Sequence, residues 1–340
     1  MADRPATLVI GAGSWGTALA NLLAGKGVPT ALWAREPEVV ASIATTREND
    51  VFLPGIRLAE RLQATDDLPG ALARAEVLVN AVPTQFIRET YAPLDPLVHD
   101  QHLLVTVSKG IEVNTLATPS EIFADVLGGT AAAGITALSG PSFAREVAAN
   151  YPTAVVAASG VAAHAHRVRD LFATPTFRVY SSDDVVSVEL GGALKNVIAI
   201  SAGIVEGLRY GHNTIAALIT RGLAEITRLG VARGGNPRTF AGLSGMGDLV
   251  LTCTGPLSRN RAVGEARGRG RSLDEILNDM NMVAEGVKTT LAARTLANDL
   301  GVEMPITEQV YQVLYEGKDP RVVGTELMTR ELKDEVPEQT

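Results

Sequence analysis

The chain has 340 residues, 46% of them hydrophobic and only 4% aromatic, with a formal net charge of −8. That length suits two domains better than one core, and filling with Ala, Val, Leu and Gly favours close-packed α/β and helical layers over an aromatic-rich sandwich. The negative balance repels polyanions, which excludes nucleic acid as the main partner, so an anionic small molecule would need a local basic cluster.

The start, Met1 to Pro5, is polar and runs at once into a strand-like segment, Thr7–Ile10, with no basic lead or cleavage site of a signal peptide. From there to about residue 180, short β-branched runs alternate with helical stretches. Thr30–Trp33, Val77–Val82, Leu103–Ser108, Ile135–Leu138, Ala154–Ala158 and Phe177–Tyr180 read as further strands, apolar enough to be buried on both faces. The alternation predicts βαβ units and a Rossmann-type, doubly wound, largely parallel sheet in an N-terminal domain spanning 1–185. After Ser181-Ser182-Asp183 the pattern is helical only, beginning with one long helix over Asp184–Leu208. Start signals at Asn213, Ser258, the capping box Ser272–Glu275, Pro305 and Asp319-Pro320 predict an all-helical C-terminal domain over 186–330, with a frayed tail at 331–340. The longest apolar stretch, Val197–Val205, falls short of the roughly 18 residues of a membrane span. The single cysteine, Cys253, allows no internal disulfide and reads as a small buried hydrophobe. Together these features predict a cytoplasmic protein with no membrane insertion.

Gly11-Ala-Gly13-Ser-Trp-Gly16 follows the first strand and opens a helix, the context in which G-x-G-x-x-G binds a dinucleotide. Gly11 permits the tight turn, Gly13 lets the backbone approach the pyrophosphate, and Gly16 lets helix and strand pack closely. The second strand ends Trp33-Ala34-Arg35-Glu36. Arg35, nearest the position of the ribose ligand, would pair with a 2′-phosphate, which favours NADP(H) with NAD(H) tolerated. Glu36 keeps the other option open, since one residue of slip would make it the ligand of a free 2′-hydroxyl. Later strand ends point into the same crevice: Asn80-Ala-Val-Pro83-Thr84-Gln85, Ser108-Lys109-Gly110, and Ser139-Gly140-Pro141-Ser142-Phe143-Ala144. Lys109 would lie near nicotinamide or substrate. Gly140 allows close approach, and Ser142 is as well suited to a plain loop role as to ligand contact.

The long helix carries Glu189-Leu-Gly191-Gly192-Ala-Leu-Lys195-Asn196. Two helical glycines cost about 1 kcal/mol each against alanine, so a face shared with Lys195 must meet a ligand or the other domain. Asp248 and Thr252 form an i, i+4 pair. Beyond Gly255-Pro256, Ser258-Arg259-Asn260 opens a helix, and its amides, guanidinium and carboxamide suit a phosphate. The five histidines are scattered, with no metal or triad spacing, and no metal is expected. His164 and His166 read as exposed, and Arg267, Arg269 and Arg271 as a basic surface segment.

At these residues the chain resembles bacterial NAD(P)-dependent glycerol-3-phosphate dehydrogenase. The likeness rests on Gly11 to Ala20, Phe52-Leu-Pro-Gly55, Ser108-Lys-Gly110, Leu138 to Ala144, Lys195 to Ala199, Gly247-Asp-Leu249, Ser258-Arg-Asn260 and Ala284-Glu-Gly-Val287, in order along nearly the whole chain. The resemblance implies that Ser14, Trp15, Arg35, Lys109, Ala144, Arg259, Val283 and Glu285 line the dinucleotide. It further implies that Lys109, Gly140, Ser142, Lys195, Asp248, Ser258, Arg259 and Asn260 hold the substrate, with Lys195 the proton carrier. It also implies a homodimer and a role in phospholipid synthesis. On this reading Lys195 protonates the alkoxide formed as dihydroxyacetone phosphate becomes sn-glycerol 3-phosphate, Asp248 and Asn196 position Lys195, and Lys109 orients the carbonyl. Two rivals stand beside it: a β-hydroxyacid dehydrogenase with a related lysine, and a dinucleotide-binding sensor without catalysis. A sensor needs neither the glycine-backed lysine nor the Ser-Arg-Asn cluster.

Overall fold

Alternate residues of the first strand leave the sheet on opposite sides, and both sides are apolar. Leu8 and Ile10 join one buried cluster with Leu78, Leu104 and Phe123, while Val9 joins another with Leu19, Leu32 and Val105. A strand buried on both faces is the signature of a sheet covered by helices on both sides. The computed structural model describes residues 7–127, 134–280, 283–332 and 334–335. Its strands are β1 (Thr7–Ile10), β2 (Thr30–Trp33), β3 (Leu62–Thr65), β4 (Val77–Asn80), β5 (Leu103–Thr106), β6 (Thr136–Ser139), β7 (Thr153–Ala158) and β8 (Phe177–Ser182). They form one sheet in the order β3-β2-β1-β4-β5-β6-β7-β8. All neighbours are parallel except β6 and β7, which are antiparallel. The order reverses between β1 and β4, and a ligand crevice lies beyond the carboxyl ends of the strands at such a reversal.

Four details depart from the sequence reading. Strand β3 was not expected: only Leu62 of Leu-Gln-Ala-Thr is buried. This edge strand lacks even the alternating Phe177, Val179 pattern of the other edge, β8, which is buried on one face only and not on both as expected. Strands β4 and β5 end at Asn80 and Thr106, two residues early, because Asn80 Nδ2 and Val82 O both engage the Ser108 hydroxyl and turn the chain out of the sheet. The helix expected to start at Asn213 runs His212–Ala232 behind Gly211, with no side-chain cap.

The helical part is built around the helix Val185–Gly207, capped by Asp184, whose carboxylate accepts from Ser187 N. Every residue from Ser187 to Ile204 is buried. A helix apolar all round must be buried all round, and this one is the single described helix long and apolar enough to cross a membrane, yet it lies wholly inside the protein. The helix Arg259–Gly268 crosses it backbone to backbone: an added Cβ on Gly264 would overlap Ile200 O, and one on Gly203 would overlap Arg261 O. That crossing sets Ser258, Arg259 and Asn260 beside the lysine-bearing stretch. The expected tail lies mostly outside the described residues.

Candidate active site

The glycine-rich turn sits at the β1 end of the crevice. Gly11 has φ +112°, and a Cβ there would lie 2.9 Å from the Ala81 backbone, so the turn after β1 presses on the one after β4. Gly16 leaves no room for a Cβ against Gly11 O. Gly13 differs, since a Cβ on it would meet nothing within 4 Å. It stands at the N-terminal boundary of the helix Ser14–Gly25 and supplies no side-chain cap. This open cradle at a helix N-terminus fits the pyrophosphate of a dinucleotide. Ser14 Oγ donates to Phe52 O at 2.6 Å, and Trp15 Nε1 is buried without a hydrogen-bond partner among the described residues. Arg35 is exposed at the β2 end, its Nε and Nη2 on Glu36 Oε1 at 3.2 and 3.0 Å. Ala144 opens the short helix Ala144–Ala148, and Val283 is exposed just before Glu285.

Lys195 and Lys109 come from different halves and meet at one carboxylate. Lys195 Nζ donates to Asp248 Oδ1 at 2.6 Å and to Thr252 Oγ1 at 2.8 Å. Lys109 Nζ donates to Asp248 Oδ2 at 2.7 Å and to Gly140 O at 3.0 Å. Ser142 Oγ donates to the same Gly140 carbonyl at 2.9 Å. Burial pushes Lys195 down to about 8, with Asp248 opposing and Lys109 assisting. Burial pushes Asp248 up, but the two ammonium groups outweigh it and hold the carboxylate below its usual range. The i, i+4 spacing of Asp248 and Thr252 thus places both acceptors under one amine.

The two glycines ahead of Lys195 answer to close neighbours. A Cβ on Gly192 would lie 2.8 Å from Ser139 Oγ and 3.4 Å from Lys109 Cγ, and one on Gly191 would lie 2.9 Å from Ser244 O. Asn196 corrects the sequence reading. It does not position Lys195; its Nδ2 donates to Lys109 O at 3.3 Å and its Oδ1 accepts from Asn260 Nδ2 at 2.9 Å. Asn260, buried, also accepts from Gly286 N at 3.0 Å, next to Glu285. Glu285 Oε1 accepts from Thr84 N at 3.1 Å, joining the turn after β4 to the helix Glu285–Asp299. Burial pushes Glu285 up to about 7 against Thr84, Arg259, Lys109 and Lys195. Ser258 caps its helix by accepting from Arg261 N at 3.2 Å, and the next side chain, Arg259, is exposed.

The strand end flagged in the sequence includes Thr84, but its bond to Glu285 was not legible there, because it is made by the backbone amide. Cys253 is buried as expected, its thiol pushed up to about 12 by burial. His164 is half-buried rather than exposed, its Nδ1 on Gly134 O at 2.7 Å. Of the basic segment, Arg267 is partly buried, with Nη2 donating to Val313 O at 2.9 Å.

A doubly wound sheet with an open glycine cradle, faced by a buried lysine–carboxylate pair from a helical unit, defines a two-domain nicotinamide-dependent dehydrogenase. Family models for the N-terminal and C-terminal parts of NAD-dependent glycerol-3-phosphate dehydrogenase match residues 7–165 and 184–325. A glycerol-3-phosphate dehydrogenase [NAD(P)+] of Citrifermentans bemidjiense is 59% identical over 335 residues, covering 98% of this chain and 99% of that one. Its counterpart in Geobacter sulfurreducens is 59% identical over 327 residues, covering 96% and 98%. The crystal structure of glycerol-3-phosphate dehydrogenase from Coxiella burnetii superposes with a TM-score of 0.91 at 39% identity, covering 95% of this chain and 98% of that one. The chain belongs to the NAD-dependent glycerol-3-phosphate dehydrogenase family.

Proposed function

We propose that this chain interconverts dihydroxyacetone phosphate and sn-glycerol 3-phosphate with NADP(H), accepting NAD(H), and so feeds phospholipid synthesis. The observation that carries the proposal is Lys195, buried with its ammonium on Asp248 and Thr252 and brought down to about 8. An acid near neutrality serves as proton donor in one direction and acceptor in the other. Bound nicotinamide supplies or takes up the hydride. Lys195 protonates the oxygen of the reduced carbonyl, and Asp248 with Thr252 aims it. Lys109, held by Asp248 and Gly140 O, orients the carbonyl with Ser142 alongside. Lys195, Lys109 and Arg259 outnumber Asp248 and the Glu285 carboxyl, which is pushed up to about 7, so the site stays net positive and suits a phosphate dianion. Ser258, Arg259 and Asn260 take the phosphate.

The glycine cradle at Gly11, Gly13 and Gly16 takes the pyrophosphate, and Arg35 takes a 2′-phosphate. Ser14, Trp15, Lys109, Ala144, Arg259, Val283 and Glu285 line the rest of the dinucleotide. The division at 1–185 and 186–330, a cytoplasmic location and a homodimer complete the proposal; light scattering in solution would give twice the 35.7 kDa of one chain. Steady oxidation of NADPH by dihydroxyacetone phosphate, with no turnover of unphosphorylated β-hydroxyacids, is the expected result. Turnover of β-hydroxyacids alone would make the chain a dehydrogenase of that other class, and NADPH binding without turnover of either would make it a sensor.

A further inference from the structure

Between the second helix, Pro37–Thr46, and β3 lies a stretch containing Phe52-Leu-Pro-Gly55 that none of the chemistry above uses. Its anchor is Asn49, which is 0% exposed although it sits in a loop. One hydrogen of its Nδ2 goes to Ala12 O at 2.9 Å and the other to Thr17 Oγ1 at 2.8 Å. Its Oδ1 accepts from Phe52 N at 3.0 Å, so both ends of the carboxamide are held. Thr17 Oγ1, also buried, donates to Ala12 O at 3.0 Å, so two neighbouring donors hold that carbonyl together. Ser14 Oγ closes the ring by donating to Phe52 O.

Ala12 O and Gly13 N–H belong to one planar trans peptide, so they point in opposite directions. A carbonyl fixed toward buried Asn49 sends the Gly13 amide the other way, and a Cβ on Gly13 would meet nothing within 4 Å. We propose that Asn49 is a positioning residue for the dinucleotide: by clamping Ala12 O together with Thr17 it aims the glycine-rich amides at the pyrophosphate. The inference rests on the reading of that turn as the nucleotide site.

Asn49→Asp tests it, because the shape and the acceptor for Phe52 N stay while a carboxylate oxygen replaces the donor to Ala12 O. The Kd for NADPH, read by fluorescence titration, should rise about 10-fold to 100-fold, the range that losing an outer-shell partner costs at metal sites. At saturating NADPH, kcat and the KM for dihydroxyacetone phosphate should stay within about twofold, a split that a general loosening of the fold does not produce. Thr17→Val should raise the NADPH Kd by a smaller factor, and Thr17→Ser, which keeps the hydroxyl, should restore it. A folded Asn49→Asp protein with wild-type NADPH affinity, whatever its Tm, overturns the proposal. If that variant does not fold, wild-type affinity in Thr17→Val overturns it instead. Gly13→Val separates the two levels, since its side chain enters open space and should abolish NADPH binding without unfolding the chain. Normal binding there overturns the nucleotide site itself, whereas lost binding there beside normal binding in Asn49→Asp overturns only the role of Asn49.

Discussion

Lys195 Nζ lies 2.6 Å from Asp248 Oδ1, and the pair is sealed from water, with side chains 8% and 1% exposed. The carboxylate is what keeps the amine charged there, since burial and Lys109 both push its protonation down. Asp248→Asn removes that support, so Lys195 should fall below about 8 and be largely neutral at pH 7.5. For reduction, kcat at that pH should drop about 10²-fold to 10⁴-fold. In the wild-type protein kcat/KM for reduction should decline as pH rises through about 8, where Lys195 loses its proton, while oxidation of glycerol 3-phosphate rises over the same range. In the variant the declining limb should move to lower pH. A limb that stays in place would show that Asp248 does not govern the charge of Lys195.

Adjacent glycines should respond differently to alanine. At Gly191 the new Cβ would meet Ser244 O, a backbone atom, at 2.9 Å, so overpacking of about 1–3 kcal/mol should outweigh the helix-propensity gain of about 1 kcal/mol. At Gly192 the obstacle at 2.8 Å is the Ser139 hydroxyl, which rotates, and the next is the Lys109 stem at 3.4 Å. Gly192→Ala should therefore keep its stability within about 1 kcal/mol while kcat/KM falls about 10-fold to 100-fold through a displaced Lys109. Urea melts beside kinetics check both. Equal loss of stability at the two positions would remove the distinction.

Glu189, six residues before Lys195 on the same helix, accepts from Ser120 N at 2.9 Å and Ser120 Oγ at 2.6 Å. Burial pushes it up to about 7 against those bonds. A carboxyl group whose folded value lies above its unfolded one holds its proton more tightly when folded. Its contribution to stability is present below about 4.5 and is lost as pH rises to about 7. Glu189→Gln keeps an acceptor for Ser120 N and carries no charge. The Tm difference between variant and wild type should therefore shift in favour of the variant on going from pH 5 to pH 8. A shift the other way would mean the ionised carboxylate stabilises the fold.

Apolar periodicity made seven of the eight strands and the central helix legible, because residues buried on every side leave unbroken apolar runs. Strand β3 was not, since Leu62 is its one buried residue, whereas β8 at the other edge still alternates Phe177 and Val179 inward. Within the site, residue type and spacing marked Lys195, Asp248 and Thr252, as one helical turn sets the last two under the first. Asn196 was misassigned because adjacency to Lys195 in sequence says nothing of direction. Successive helix residues point about 100° apart, and Asn196 faces Asn260 and Lys109 O instead. Asn49 left no trace at all, for a buried loop asparagine reads like any turn residue until the carbonyl it holds is located.

Arg35 lies on the surface with its side chain 77% exposed and leans on Glu36. Arg35→Asp should move the preference from NADPH toward NADH, as a carboxylate repels a 2′-phosphate and accepts from a free 2′-hydroxyl. The ratio of kcat/KM for the two cofactors should change by about tenfold or more, the worth of one charge-assisted hydrogen bond. An unchanged ratio would leave Glu36 as the residue that reads the ribose.

Arg259→Lys tests the phosphate assignment with the charge preserved. Arg259 keeps an exposed face behind the Ser258 cap, while desolvation of its guanidinium lowers its pKa against the opposing pull of Glu285. Lysine is a point donor and cannot reproduce the planar two-bond grip of a guanidinium on phosphate oxygens. Losing one charge-assisted hydrogen bond is worth about 1.5–3 kcal/mol, so kcat/KM for dihydroxyacetone phosphate should fall about tenfold to 150-fold. Unphosphorylated dihydroxyacetone is the control, because whatever turnover it shows does not use the phosphate site, and its kcat/KM should scarcely change. The KM for NADPH belongs in the same experiment, since Glu285 links this region to Thr84 at the dinucleotide end of the crevice. If both substrates lose activity in equal measure, Arg259 acts through the cofactor or the fold, and Ser258 and Asn260 lose their partner in the phosphate site.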